Sequence, residues 1–503
     1  MCRVLNMSYE PGEDMEEILS SRSESYSYRK TKIIATLGPA SRSPENLREL
    51  IISGVNVFRL NFSHGSHEEH LETLKRVRAV SSELGIPVAI LQDLSGPKIR
   101  ITEIQDDYAP VRDADEIFLK HAKGEKSSAG TLFIETLNPV EFLKLGEQVL
   151  LADGLLELRC VEILSDKVRC EVSKGGRIRS RVGIAFPDSD IDLPATTDKD
   201  YRDLAWGIQH DVDYVAISFV NTAEDIIQLR EEITRQGGHS KLIAKIERKS
   251  ALRNIEGILE ACDGLMVARG DLGLELPLEK VPRVQKALIE KANYRGIPVI
   301  VATQMLHSMV TSIRPTRAEA SDIATAVMSG ADALMLSDET AIGENPILAV
   351  KNLGKIAFEA EREFDFSEYK LRLKEADSET IPDAVSYAAS AAAIKVKASA
   401  LVACTETGSS ARLIAKYRPQ QPLFGASSSE RTIRRMCLYW GVRPVHFRPP
   451  ESHERELETA LEQVKAVGNF SDGERAVITS GLRVRTPGST SLLQIRNFKA
   501  NNS

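Results

Sequence analysis

The chain has 503 residues, of which 27% are charged and 42% hydrophobic, with a net charge of -7. That length is too great for one ordinary domain, and without a long basic run neither a nucleic acid nor an anionic membrane is expected as a partner. The six cysteines form no CxxC, which argues against a zinc ribbon or a redox pair and for small buried hydrophobes in a reducing compartment.

Residues 1–29 read as a polar N-terminal arm. They lack the basic start and apolar centre of a signal peptide. No apolar run is long enough to span a bilayer, so a cytoplasmic location is expected. A strand–helix rhythm then begins. Strands are predicted at 32–37, 55–62 and 87–94. The first helix opens at Ser43-Pro44 and closes at Gly54, a cap, an N-terminal proline and a terminal glycine in order. From 98 to 193 the helical period disappears and short alternating runs take over, which predicts an inserted β domain. The rhythm resumes with strands at 214–219, 242–246, 265–268, 299–303 and 333–336. Eight strand–helix units with one insertion predict a (β/α)8 TIM barrel over 30–97 and 194–362, with 98–193 as a small β-barrel lid. After Arg362 a charged stretch leads to a separate C-terminal α/β domain, 363–503, with a helix at 383–396 and strands near 400, 423, 445 and 476.

The barrel reading makes a test possible, because catalytic groups in such barrels lie at the C-terminal ends of the strands. Strand two ends in Arg59, Asn61, Ser63 and His64, strand three in Asp93, and strand four carries Ser218. Strand five offers Lys245 and Glu247, strand six Arg269 and Asp271, strand seven Thr303 and Gln304, and strand eight Ser337, Asp338 and Glu339. Chance surface ion pairs would not choose one rim. His64 also fits a capping or packing role, and Glu339 an orienting one. Glu247 and Asp271 are hard oxygen donors of the kind Mg²⁺ takes, with waters and substrate oxygens completing its shell. Lys245 beside them suits negative charge that develops in a reaction. Backbone N–H groups after Gly270 suit a carboxylate or phosphate.

The stretches Thr31-Lys-Ile-Ile-Ala-Thr-Leu-Gly-Pro39, Phe58-Arg-Leu-Asn-Phe-Ser-His-Gly65, Asp93-Leu-Ser-Gly-Pro-Lys-Ile-Arg100, Lys245-Ile-Glu247, Ala268-Arg-Gly-Asp-Leu-Gly273, Ala302-Thr-Gln-Met-Leu306 and Met335-Leu-Ser-Asp-Glu-Thr340 follow in order and spacing. Together they resemble pyruvate kinase over essentially the whole chain after the arm. The resemblance implies phosphoryl transfer from phosphoenolpyruvate to ADP, giving pyruvate and ATP, in a homotetramer. It implies Glu247 and Asp271 as Mg²⁺ (or Mn²⁺) ligands, Lys245 and Arg59 on the transferring phosphate, and Ala268, Arg269, Gly270 and Asp271 around the substrate carboxylate. Thr303 and Ser337 would protonate the enolate. Arg100, Lys199, Asp153, Asn61 and His64 match nucleotide-side positions, and Asn61, Ser63, Asp93 and Leu94 a monovalent-cation site. A different Mg²⁺–enolate barrel enzyme is the rival. It has no need of the lid with Asp153 or of Lys199 at its hinge.

Two finer expectations follow from the resemblance. Lys98 stands where K⁺-dependent members carry Glu, and its ammonium near the cation site would replace K⁺, which is then not required. The loop with Thr405, Thr407, Gly408, Ser409 and Ser410, closed by Arg483, Arg485 and Gly488, matches an effector-phosphate site for a sugar phosphate. His307 and Asp338 depart from the residues usual at their positions.

Overall fold

Short apolar runs that end in charge make the centre of the molecule. The computed structural model describes residues 29–106, 108–152, 154–189, 191, 193–364, 380–448, 453–481 and 490–499. Strands β1 (Lys32–Thr36), β2 (Val57–Asn61) and β3 (Ala89–Asp93) come first. Eight strands then lie outside the barrel: β4 (Tyr108–Val111), β5 (Glu116–His121), β6 (Thr131–Ile134), β7 (Gln148–Leu151), β8 (Leu156–Ile163), β9 (Val168–Lys174), β10 (Gly176–Arg179) and β11 (Ile184–Ala185). The barrel resumes with β12 (Tyr214–Ile217), β13 (Lys241–Ile246), β14 (Gly264–Ala268), β15 (Val299–Ala302) and β16 (Ala333–Leu336). These parallel strands close in the order β1-β16-β15-β14-β13-β12-β3-β2, so the predicted (β/α)8 barrel is present.

Both faces of the strands are buried, which is why they read as continuous apolar runs. Alternate residues still divide the work. Ile33, Phe58 and Ile90 face the helices, while Ile34, Leu91, Ile243, Met266 and Ile300 fill the interior. The surrounding helices start where short polar side chains can cap them. Ser66 accepts from the Glu69 N–H and Glu69 reaches back, and Thr316 with Glu319 does the same. The helix Ala223–Arg235 buries Ile226, Leu229 and Ile233, each worth about 2 kcal/mol in removed apolar surface.

Five barrel strands, β1, β2, β3, β12 and β15, stop one or two residues short of their predicted ends, and after two of them the backbone turns left-handed. Thr303 (φ 71°) and Gln304 (φ 55°) turn left-handed after Ala302, and Phe219 (φ 55°) does so beyond Ile217. A β-branched residue there is strained and has to be held by its surroundings.

The lid segment forms a six-stranded sheet, β11-β7-β8-β9-β5-β6, and a two-stranded ribbon, β10-β4. Both wrap one apolar core that includes Ile117, Leu132, Leu158 and Val172 with Ala109 and Ile178 from the ribbon. The C-terminal sheet comprises β17 (Ala400–Cys404), β18 (Leu423–Ser427), β19 (Val442–His446), β20 (Arg475–Gly481) and β21 (Thr490–Asn497), ordered β19-β18-β17-β20-β21. Its helix spans Ile381–Lys395. This sheet docks on the N-terminal end of the barrel. Lys32 Nζ donates to the Val442 carbonyl at 2.7 Å and the Tyr214 hydroxyl to the Arg435 carbonyl at 2.6 Å. Arg418, fully buried, reaches Asp332 at 2.8 Å and lies over the Trp440 ring. The opposite, C-terminal rim of the barrel faces the lid.

Candidate active site

Three carboxylates and three cations meet at that rim. β2 delivers Arg59, β3 Asp93, β13 and the residue after it Lys245 and Glu247, and the short helix Arg269–Glu275 that follows β14 delivers Asp271. Arg59 pairs with Asp93 at 2.7 Å, and Lys245 lies 3.2 Å from Asp93 and 3.0 Å from Glu247. Lys98 reaches Asp271 at 3.0 Å. The first four groups are buried. Burial alone would lower the Lys245 pKa, but Asp93 and Glu247 outweigh it and hold the ammonium charged. Burial would raise Asp93, yet Lys245 and Arg59 bring it below the usual carboxylate range. Glu247 is raised, chiefly by burial, although Lys245 works against this.

Hydrogen bonds fix the orientation of this cluster. Lys245 Nζ donates to Ser218 Oγ at 2.6 Å, and that hydroxyl donates to the Leu94 carbonyl at 2.7 Å. The left-handed turn at Phe219 aims its N–H at Glu247 Oε2, 2.7 Å away. Thr303 Oγ1 accepts from the Gly270 N–H at 2.8 Å. Arg269 donates to the Thr303 carbonyl at 2.6 Å and pairs with Asp322 at 2.5 Å, which holds the strained backbone in place. Glu339 is buried and accepts from the N–H groups of Leu306 and Ser337, the orienting role its position suggests.

Two cavities flank the cluster. One of about 380 Å³ lies between barrel and lid and is lined by Lys98, Gly183, Phe219, Glu247 and Asp271 among others. A second, of about 500 Å³, is lined by Arg42, Arg59, Asn61, His64 and Asp338. Among the described residues no three His, Cys, Asp or Glu side chains converge as a metal cage. Glu247 and Asp271 instead offer two oxygen donors on a shared cavity, the arrangement that suits a Mg²⁺ ion completing its shell with water and substrate.

The family is decided by comparison with known proteins. The model for the pyruvate kinase barrel domain matches residues 28–350, and that for the pyruvate kinase alpha/beta domain matches 383–496. The chain belongs to the pyruvate kinase family. It is 41% identical over 482 residues to "Pyruvate kinase 2" of Synechocystis sp., covering 94% of this chain and 80% of that protein. It is 39% identical over 471 residues to the pyruvate kinases of Staphylococcus epidermidis and Staphylococcus aureus, covering 93% of this chain and 80% of each relative. Family membership at this level makes the chain an enzyme, a phosphotransferase of the pyruvate kinase type.

The remaining predicted residues fall in three places. Asn61 Oδ1 accepts from the Ser63 N–H at 3.2 Å, and His64 shares the second cavity with Asn61. Lys199 Nζ lies at the lid hinge, donating to the Phe62 carbonyl at 2.7 Å and pairing with Asp203 at 2.6 Å. Arg100 donates to the Arg181 carbonyl at the base of the lid. In the C-terminal region, β17 runs into a loop where Thr405 Oγ1 accepts from the Gly408 N–H at 3.0 Å and the Thr407 and Ser409 hydroxyls meet at 3.0 Å. Gly408 is left-handed (φ 85°) beside Tyr439, a position that favours glycine, and Ser410 bonds Thr490. Asp153, Arg483, Arg485 and Gly488 lie outside the described residues. Sequence reasoning missed Asp322 and the N–H of Phe219, and placed Lys98 with the oxygen donors Asn61, Ser63 and Asp93. Its ammonium lies on Asp271.

Proposed function

We propose that the chain transfers the phosphoryl group of phosphoenolpyruvate to ADP, giving pyruvate and ATP, with the reaction centred on the Arg59–Asp93–Lys245–Glu247–Asp271 cluster. The observation that carries this reading is the buried, charge-held Lys245 beside two carboxylates that open onto one cavity. Arg59 binds the phosphate. Lys245 balances the negative charge that moves as the phosphoryl group leaves, a reaction run by positioning and electrostatics. Glu247 and Asp271 would hold Mg²⁺ (or Mn²⁺), which when bound would supply positive charge against the negative charge that moves in the reaction. Backbone N–H groups of 268–271 receive the carboxylate, and Thr303 with Ser337 leads a proton to the enolate carbon. ADP enters the cavity with Asn61 and His64, near Arg100 and Lys199, and the lid with Asp153 closes over it to exclude water. Coupled detection of pyruvate from phosphoenolpyruvate, ADP and Mg²⁺ tests the reading. Turnover that disappears in Glu247→Ala and Asp271→Ala supports it, and no pyruvate from the wild type refutes it.

The finer assignments belong to the same reading. Lys98 supplies the positive charge that K⁺ brings elsewhere, so K⁺ is not required. The 405–410 loop, with Arg483, Arg485 and Gly488, takes the phosphate of a sugar-phosphate effector. The protein works as a homotetramer.

A further inference from the structure

Among the described residues the charges of the rim cluster balance before any metal ion arrives. Arg59, Lys245 and Lys98 balance Asp93, Glu247 and Asp271, and each carboxylate already has an ammonium or guanidinium within 3.2 Å. Lys98 differs from the other two cations. The side chains of Arg59 and Lys245 are 11% exposed and locked into the barrel wall, whereas that of Lys98 is 32% exposed. Lys98 stands where the chain leaves the barrel for the lid. Its neighbour Ile99 accepts from the Ile184 N–H at 3.1 Å, and Arg100 pairs with Gly183 across an antiparallel bridge. The lysine stem packs against that glycine: a Cβ built on Gly183 would lie 3.2 Å from Lys98 Cε. A flexible cation anchored at the lid hinge therefore sits on one of the two carboxylates that face the cavity.

We propose that Lys98 is a built-in competitor of the divalent cation for Asp271. The inference rests on the reading of Glu247 and Asp271 as the metal pair. A divalent ion added to a neutral cluster leaves two uncompensated positive charges in a partly buried site, which is unfavourable. Binding then needs the Lys98 ammonium to withdraw from Asp271, or a phosphate-bearing substrate to bring compensating negative charge. The free enzyme thus holds metal weakly, and metal and substrate strengthen each other. The displaced ammonium remains at the hinge, free to face the substrate's phosphate.

The test is Mn²⁺ binding to the full chain without turnover, read as loss of the free-ion electron paramagnetic resonance signal. Lys98→Met should bind Mn²⁺ about tenfold tighter than the wild type at moderate ionic strength, the scale of one unit charge a few ångströms away. Gly183→Ala keeps every charge but crowds the stem, and should fall between the two. Phosphoenolpyruvate should narrow the gap between wild type and Lys98→Met. Unchanged or weaker Mn²⁺ binding in Lys98→Met, with Asp271→Asn still abolishing binding, overturns the competition and leaves Lys98 as a group that orients Asp271. Undiminished binding in Asp271→Asn overturns the metal reading itself.

Discussion

Lys32 offers the sharpest quantitative test of how the barrel is joined to the C-terminal sheet. Its side chain is 5% exposed and donates to the Val442 carbonyl at 2.7 Å. Burial lowers its pKa from 10.5 to about 8, with Cys437 and Glu361 opposing the shift and Arg29 and Arg443 adding to it. A lysine whose folded pKa lies below its unfolded one binds fewer protons when folded between those values. Stability therefore rises with pH from about 8 to 10.5, and the burial penalty is present in full below 8. A gap of about 2.5 units corresponds to about 3 kcal/mol. Lys32→Met removes the penalty at the cost of one hydrogen bond, about 1 kcal/mol. At pH 7 the variant should be more stable by roughly 2 kcal/mol, and by pH 10.5 that advantage should be gone. Urea unfolding of both proteins across this range is the assay, since other titrating groups cancel in the difference. A wild-type-to-variant difference that does not move with pH would refute the reasoning.

Three further outcomes are expected. Lys245→Met should lower kcat at least about 100-fold while changing the phosphoenolpyruvate KM far less, because its charge acts where charge develops; near-normal turnover sinks the assignment. In tetramethylammonium-balanced buffer the wild type should turn over without K⁺, and Lys98→Glu should acquire a K⁺ requirement; strong K⁺ activation of the wild type refutes this. Fructose 1,6-bisphosphate, ribose 5-phosphate and glucose 6-phosphate, each titrated against the phosphoenolpyruvate saturation curve, should include one that shifts it, and no response to any removes the effector reading.

The barrel was legible because strands buried on both faces leave apolar runs, and because each run ends in groups that have no reason to enter a core. Glu339, Thr303 and Ser337 could be placed on the rim by that logic alone. The left-handed turns at Thr303 and Phe219 could not, since neither residue type signals a positive φ; surrounding bonds impose it. Asp322 was equally hidden. It sits within a helix 53 positions from Arg269, and only the closed barrel brings the two together. β21 escaped because as an edge strand it is only partly buried and shows no clean alternation. The partner of Lys98 is a matter of where a flexible side chain settles among several carboxylates, which motif spacing does not determine.

β3 and β12 are direct neighbours in the barrel, with Leu91 opposite Tyr214 and Gln92 opposite Val215, although the whole lid lies between them in the chain. The lid contributes no strand to the closed ring, and it occupies the connection between two adjacent strands, ahead of the helix Asp198–Gln209. It is thus a cassette spliced into a circle that is complete without it. Such a joint lets a cap be lengthened, trimmed or resurfaced over evolutionary time while the register of the eight strands, and the distances among Arg59, Asp93, Lys245 and Glu247 beneath, are inherited unchanged.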